Sequence, residues 1–109
     1  MTLWPVHFAR SSATRASVSG EAAARAQFMI GETQFQQKRH ADAVKSFFRV
    51  VYGYAYPQWQ ADACYEAARC FEVLQKKSQA VKQYQELVDK FPASDKVPLA
   101  KERIQALQP

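Results

Sequence analysis

The sequence predicts an all-α fold, a solenoid of antiparallel helix pairs with about five helices: two repeats plus a C-terminal capping helix. Two observations carry this. The stretch Ala43-Val44-Lys45-Ser46-Phe47 returns 37 residues later as Ala80-Val81-Lys82-Gln83-Tyr84, and the same offset carries Phe28 onto Tyr65, Val50 onto Leu87, Tyr54 onto Phe91 and small Gly31 onto small Ala68. A period of this length marks stacked structural units. On a helix, Ala43, Phe47, Val50, Val51 and Tyr54 form one continuous apolar stripe, and the second copy keeps those spacings.

Residues 1–20 stand apart from the repeat as an irregular tail, and 21–109 form the repeat domain. The tail carries Arg10 and Arg15, several Ser and Ala and no acidic residue. An organellar leader has a similar composition, whereas the apolar core of about 7–15 residues that a secretory signal needs is missing. Sequence upstream of a domain cut from a longer protein reads the same way. Trp4 and Phe8 are its candidates for docking onto the domain.

The Ala-rich run from Glu21 to about Gln37 suits a first helix, with Glu21 placed to meet the positive end of the helix dipole. Lys38, Arg39 and His40 close it. A second helix spans about Ala41 to Tyr52, ended by Gly53. Pro57 opens the boundary to a third, about Gln58 to Leu74, and a fourth runs from about Ser78 to Lys90 before Phe91-Pro92 stops it. Ser94 or Asp95 is the expected N-cap of a fifth helix, with Pro98 in the first turn, where its missing N–H costs little. Ala100, Ile104 and Leu107 stand 37 beyond Ala63, Ala67 and Cys70, so this helix reads as the first half of a third unit that covers the second pair.

With 109 residues and 48% hydrophobic content, the chain is long enough and apolar enough for one packed domain. Its formal charge is +5, but Lys and Arg are interspersed along the sequence with Asp and Glu, a dispersal that argues against nucleic-acid binding. No apolar run approaches the roughly 18 residues of a membrane span. Cys64 and Cys70, six residues apart on one helix, lie roughly 9 Å apart along its axis, too far for a disulfide. Cys64 reads as a small core residue.

These residues resemble the tetratricopeptide repeat family, whose unit is a pair of antiparallel helices with small residues at their closest approach. Gly31, Ala43 and Phe47 stand at the family's small, small and aromatic positions in the first unit. Ala68, Ala80 and Tyr84 do so in the second, closed by Pro92. Two departures stand out: Gln27 replaces the aromatic expected near the start of the first unit, and the first proline comes two residues late, as Pro57. The endings Tyr56-Pro57-Gln58-Trp59 and Phe91-Pro92-Ala93-Ser94 look like those of bacterial envelope members, the periplasmic Tol-Pal accessory protein and the outer-membrane assembly lipoproteins. That subgroup resemblance implies an envelope or periplasmic setting.

The family resemblance implies a non-catalytic protein-interaction module that takes a peptide or helix of a partner protein in a concave groove lined by the first helix of each unit. On this sequence the groove positions are Arg25, Phe28, Glu32, Tyr65, Arg69 and Glu72, with Phe35 and Asp62 beside them. Where some members clamp a C-terminal carboxylate with Lys and Asn, this chain has Phe28 and Glu32, which does not suit that ligand. The alternative is a structural self-association unit, whose exposed end around Met29 and Ile30 makes homo-oligomers or continues a longer repeat array. No metal-ligand spacing, phosphate loop or nucleophile motif is present to imply a cofactor or catalysis. The two histidines, His7 and His40, lie far apart in sequence.

Overall fold

The computed structural model describes residues 20–108, as five helices in chain order: α1 Gly20–Gln36, α2 His40–Gly53, α3 Pro57–Val73, α4 Lys77–Lys90 and α5 Val97–Leu107. The expectations for Trp4 and Phe8 lie outside the described residues.

The two turns inside the pairs are copies of each other. Lys38 has φ 63°, its N–H donates to the Phe35 carbonyl at 2.9 Å, and the Arg39 N–H donates to that of Gln34 at 2.9 Å. Gln75, also at φ 63°, repeats this with Glu72 at 3.0 Å while Lys76 reaches Phe71 at 2.8 Å. This bond pair is the Schellman end of a helix, normally made by glycine. It reverses the chain within three residues, so each second helix folds back on the first.

The pairs close around their small residues. A Cβ added to Gly31 would lie 2.6 Å from Phe47 Cε1, so the α2 ring sits directly on the α1 backbone. Ala68 and Tyr84 occupy the same repeat positions, and both are fully buried. Ala43 and Ala80 have no exposed surface. The sulfur of Cys64 lies 3.1 Å from the Gln83 carbonyl, and Gln27, at the matching position, donates its side-chain N–H to the Ser46 carbonyl at 3.3 Å. The glutamine that departs from the family pattern thus keeps a polar tie at the same place.

One core runs through the stack, with α3 packed on α1, α2 and α4. Cys64 and Cys70 are buried free thiols, and burial pushes both up to about 12, which leaves them protonated and unreactive near neutral pH. Along the stack α1 packs on α3, whereas α2 and α4 touch more sparsely, through contacts such as the Tyr52 hydroxyl on Glu86 at 2.8 Å. The first helices α1 and α3 therefore mark the more closely packed, inner side of the stack.

Two expectations change at helix starts. Gly20 belongs to α1 rather than to the tail, and a side chain there would run into the Tyr56 hydroxyl. Helix α5 begins one to two residues later than an N-cap at Ser94 or Asp95 suggests, with Lys96 at the N-cap and Pro98 in the first turn. Ser94 instead shapes the turn that leads in, accepting the Lys96 N–H on its hydroxyl at 3.0 Å.

Candidate functional site

Where α1, α3 and α5 line the inner side, Phe35, Tyr65, Arg69, Glu72, Val73, Tyr84 and Arg103 enclose an open concavity of about 240 Å³. Its floor is aromatic. The Tyr65 ring packs against Tyr84 with centroids 5.6 Å apart, and Lys96 Nζ stands 5.5 Å from the Tyr65 centroid. The Arg69 guanidinium lies 5.0 Å above the Phe35 ring, joining α3 to α1, and pairs with Glu66 at 2.7 Å.

Glu72 is the polar anchor of this region. It accepts the Tyr84 hydroxyl at 2.6 Å and both arms of the Arg103 guanidinium, one at 3.1 Å. The hydrogen bond from Arg103 outweighs partial burial and holds the carboxyl below its ordinary range. Burial dominates next door: it raises Asp62 despite Lys96, and it raises Glu66 despite Arg69. Glu32 adds to both shifts, so its charge reaches across from α1.

The expected groove residues therefore divide. Tyr65, Arg69 and Glu72 come together, with Phe35 beside them. Arg25 and Glu32 are exposed on α1 outside this concavity, and neither forms an ion pair among the described residues. Phe28 is a correction. Only 8% exposed, it sits between Phe47 at 5.3 Å and Trp59 at 5.4 Å and belongs to the core. The bulky Trp59 opening α3, tied to Glu21 at 3.3 Å, covers the place where a ligand would have met Phe28.

Neither Arg103, expected on the outer polar face of the last helix, nor Lys96 is among the expected groove residues. Arg103 stands 37 residues after Glu66, so the offset that aligned Ala100, Ile104 and Leu107 also aligns Arg103 with an inner-face position. Lys96 precedes its helix, where periodicity carries no signal. The described residues hold no cluster of His, Cys, Asp or Glu able to bind a metal, and no helix among them is long and apolar enough to cross a membrane.

The family model described as Tetratricopeptide repeat matches residues 25–55 and 62–94, two segments that start 37 residues apart and together cover more than half of the chain. The chain belongs to the tetratricopeptide repeat family. Tetratricopeptide repeats generally mediate protein–protein interaction as non-catalytic scaffolds. The match is to the repeat family and gives no support to the bacterial envelope subgroup. No curated protein and no solved structure matches the chain.

Proposed function

We propose that this tetratricopeptide domain binds a peptide or helix of a partner protein on the layer of its first helices, with Phe35, Tyr65 and Arg69 as the central contacts and Arg25 and Glu32 at the rim. The observation that carries the reading is the open concavity in which an arginine lies over an aromatic ring where side chains of four helices meet. Aromatic and arginine side chains are the residues on which binding energy concentrates, since they bring large area and directional polar contacts at low entropic cost. Val73, 49% exposed on the wall of the concavity, adds apolar surface. Glu72 organises the site from within: with its oxygens engaged by Tyr84 and Arg103, it ties α5 to α3, while Arg69 is held by Glu66 and the Phe35 ring.

The test is capture from a native lysate by the wild-type chain and by a Phe35→Ala, Arg69→Gln double variant of equal thermal stability. Proteins retained by the first and lost by the second support the groove. Equal retention contradicts it.

Self-association is the second reading, favoured by Met29 and Ile30, which are 50% and 48% exposed on α1. Light scattering over a concentration series separates the two readings, since a strict monomer excludes the second.

A further inference from the structure

The charges that alternate along the sequence are sorted by layer in the fold. The second helices with the turns leading into them, residues 38–53 and 75–90, carry eight Lys and Arg against three Asp and Glu. The remaining described residues, which include every first helix, carry five against seven. The outer layer is thus basic and the inner layer mildly acidic, although the sequence shows no basic stripe.

Within the basic layer, α2 carries a second concavity, of about 670 Å³, whose lining includes Gln27, Lys45, Phe48, Arg49, Tyr52 and Tyr54. Tyr52 is 61% exposed yet held in place: its ring meets the Phe48 ring at 5.6 Å and its hydroxyl bonds Glu86 at 2.8 Å. Lys45 and Arg49 are exposed one turn apart, and neither forms an ion pair among the described residues, unlike Arg39, Arg69, Lys90 and Arg103. The repeat supplies an internal control. At the positions of Phe48, Arg49 and Tyr52, α4 has Gln85, Glu86 and Asp89. The fold builds its second helix without aromatics or a cation there; on α2, Phe48 also packs on the Phe71 ring of α3 with centroids 6.1 Å apart, whereas Lys45, Arg49 and Tyr52 are exposed.

We propose that this outer face of α2 is a second docking surface, independent of the inner groove, and that its occupant is an acidic segment of a partner protein carrying an apolar side chain. Charge complementarity selects the occupant: two free cations flank a pre-positioned aromatic pair, in a layer whose excess charge is positive. The ordered Tyr52 ring offers apolar area with little further loss of freedom on binding. Lys45 and Arg49 contribute attraction that salt weakens.

Fluorescence anisotropy of a short labelled Glu-rich peptide bearing Leu and Phe, titrated with the full chain, tests this. The expected result is saturable, salt-sensitive binding, weakened at least about tenfold by Lys45→Gln with Arg49→Gln and by Tyr52→Ala. The same peptide with Gln for Glu should bind as weakly, while the Phe35→Ala, Arg69→Gln variant should bind like wild type. The proposal is overturned if the Glu peptide fails to bind, or binds the Lys45/Arg49 variant as well as wild type. It is equally overturned if a single-stranded oligonucleotide displaces the peptide at lower concentration than unlabelled peptide does, which would assign the face to nucleic acid. Self-association abolished by Arg49→Gln would place a second copy there and overturn it as well.

Discussion

Gly31 shows how closely this fold depends on single atoms. Its missing side chain lets the Phe47 ring rest on the α1 backbone, and an added Cβ would stand 2.6 to 2.8 Å from three ring atoms that have no exposed surface to retreat into. Gly31→Ala should therefore destabilise the domain by about 1–3 kcal/mol, the usual cost of overpacking, despite the better helix propensity of alanine. Chemical denaturation measures it, and an unchanged midpoint would mean that the first pair can spread. Gln75 offers the opposite sign. A non-glycine residue at φ 63° carries a steric penalty of about 1–2 kcal/mol, so Gln75→Gly should stabilise by about 1 kcal/mol. A lower thermal midpoint would show that the Gln75 side chain does more for the turn than its backbone strain costs.

Beyond its apolar packing through Ala100, Ile104 and Leu107, helix α5 is tied down by one charged cluster. Glu72 on α3 receives Arg103 from α5 and Tyr84 from α4, so Glu72→Gln should loosen the last helix before anything else unfolds. Because both partners are partly exposed, the expected loss is about 1 kcal/mol. Its pH dependence has a definite sign. The folded carboxyl titrates below its ordinary value, so the stabilisation is fully present above that value and disappears as the pH falls through the folded one. Asp62 and Glu66, raised by burial, act oppositely and favour the fold on acidification. The difference in stability between wild type and Glu72→Gln should thus be largest near neutral pH and vanish in strong acid, with hydrogen exchange in 97–107 following it. A difference independent of pH would remove the ion pair from the account.

The elements themselves were legible because core positions recur with the helical period and again at the offset of 37; four of the five starts fell within a residue of their expected places. The start of α5 was not, because Ser94 and Asp95 have the chemistry of a cap while the chain uses them in a turn. Phe28 misled for a related reason. Its partner Tyr65 is only half-buried, and the offset assigns both the same position, but Trp59 covers Phe28 and has only Ala22 as its own counterpart. Repeat periodicity reports the shared scaffold and is silent about which neighbour closes over each copy.

At the scale of the whole molecule, the same comparison refines the picture of the open end. Where α3 buries Ala63, Ala67, Cys70 and Phe71, α1 has Ala26, Ile30, Thr33 and Gln34. Gln34 accepts the Ser46 hydroxyl, so the outer side of the first pair is largely polar around Ile30. This end therefore offers a partner less apolar surface than α3 offers its neighbours, which weakens the case for a partner there. The layered sorting of charge is likewise a property of the assembled stack, invisible in a sequence where the signs alternate.

A partner protein that meets the inner layer should come within reach of Val73. A photo-activated cross-linking residue at exposed Val73, inside the groove, compared with one at exposed Gln105 on α5, tests this most directly in a native lysate. A discrete cross-linked product is expected from Val73, suppressed by Arg69→Gln, and none from Gln105. Equal products from both positions, or a Val73 product indifferent to Arg69→Gln, would contradict binding at the inner layer.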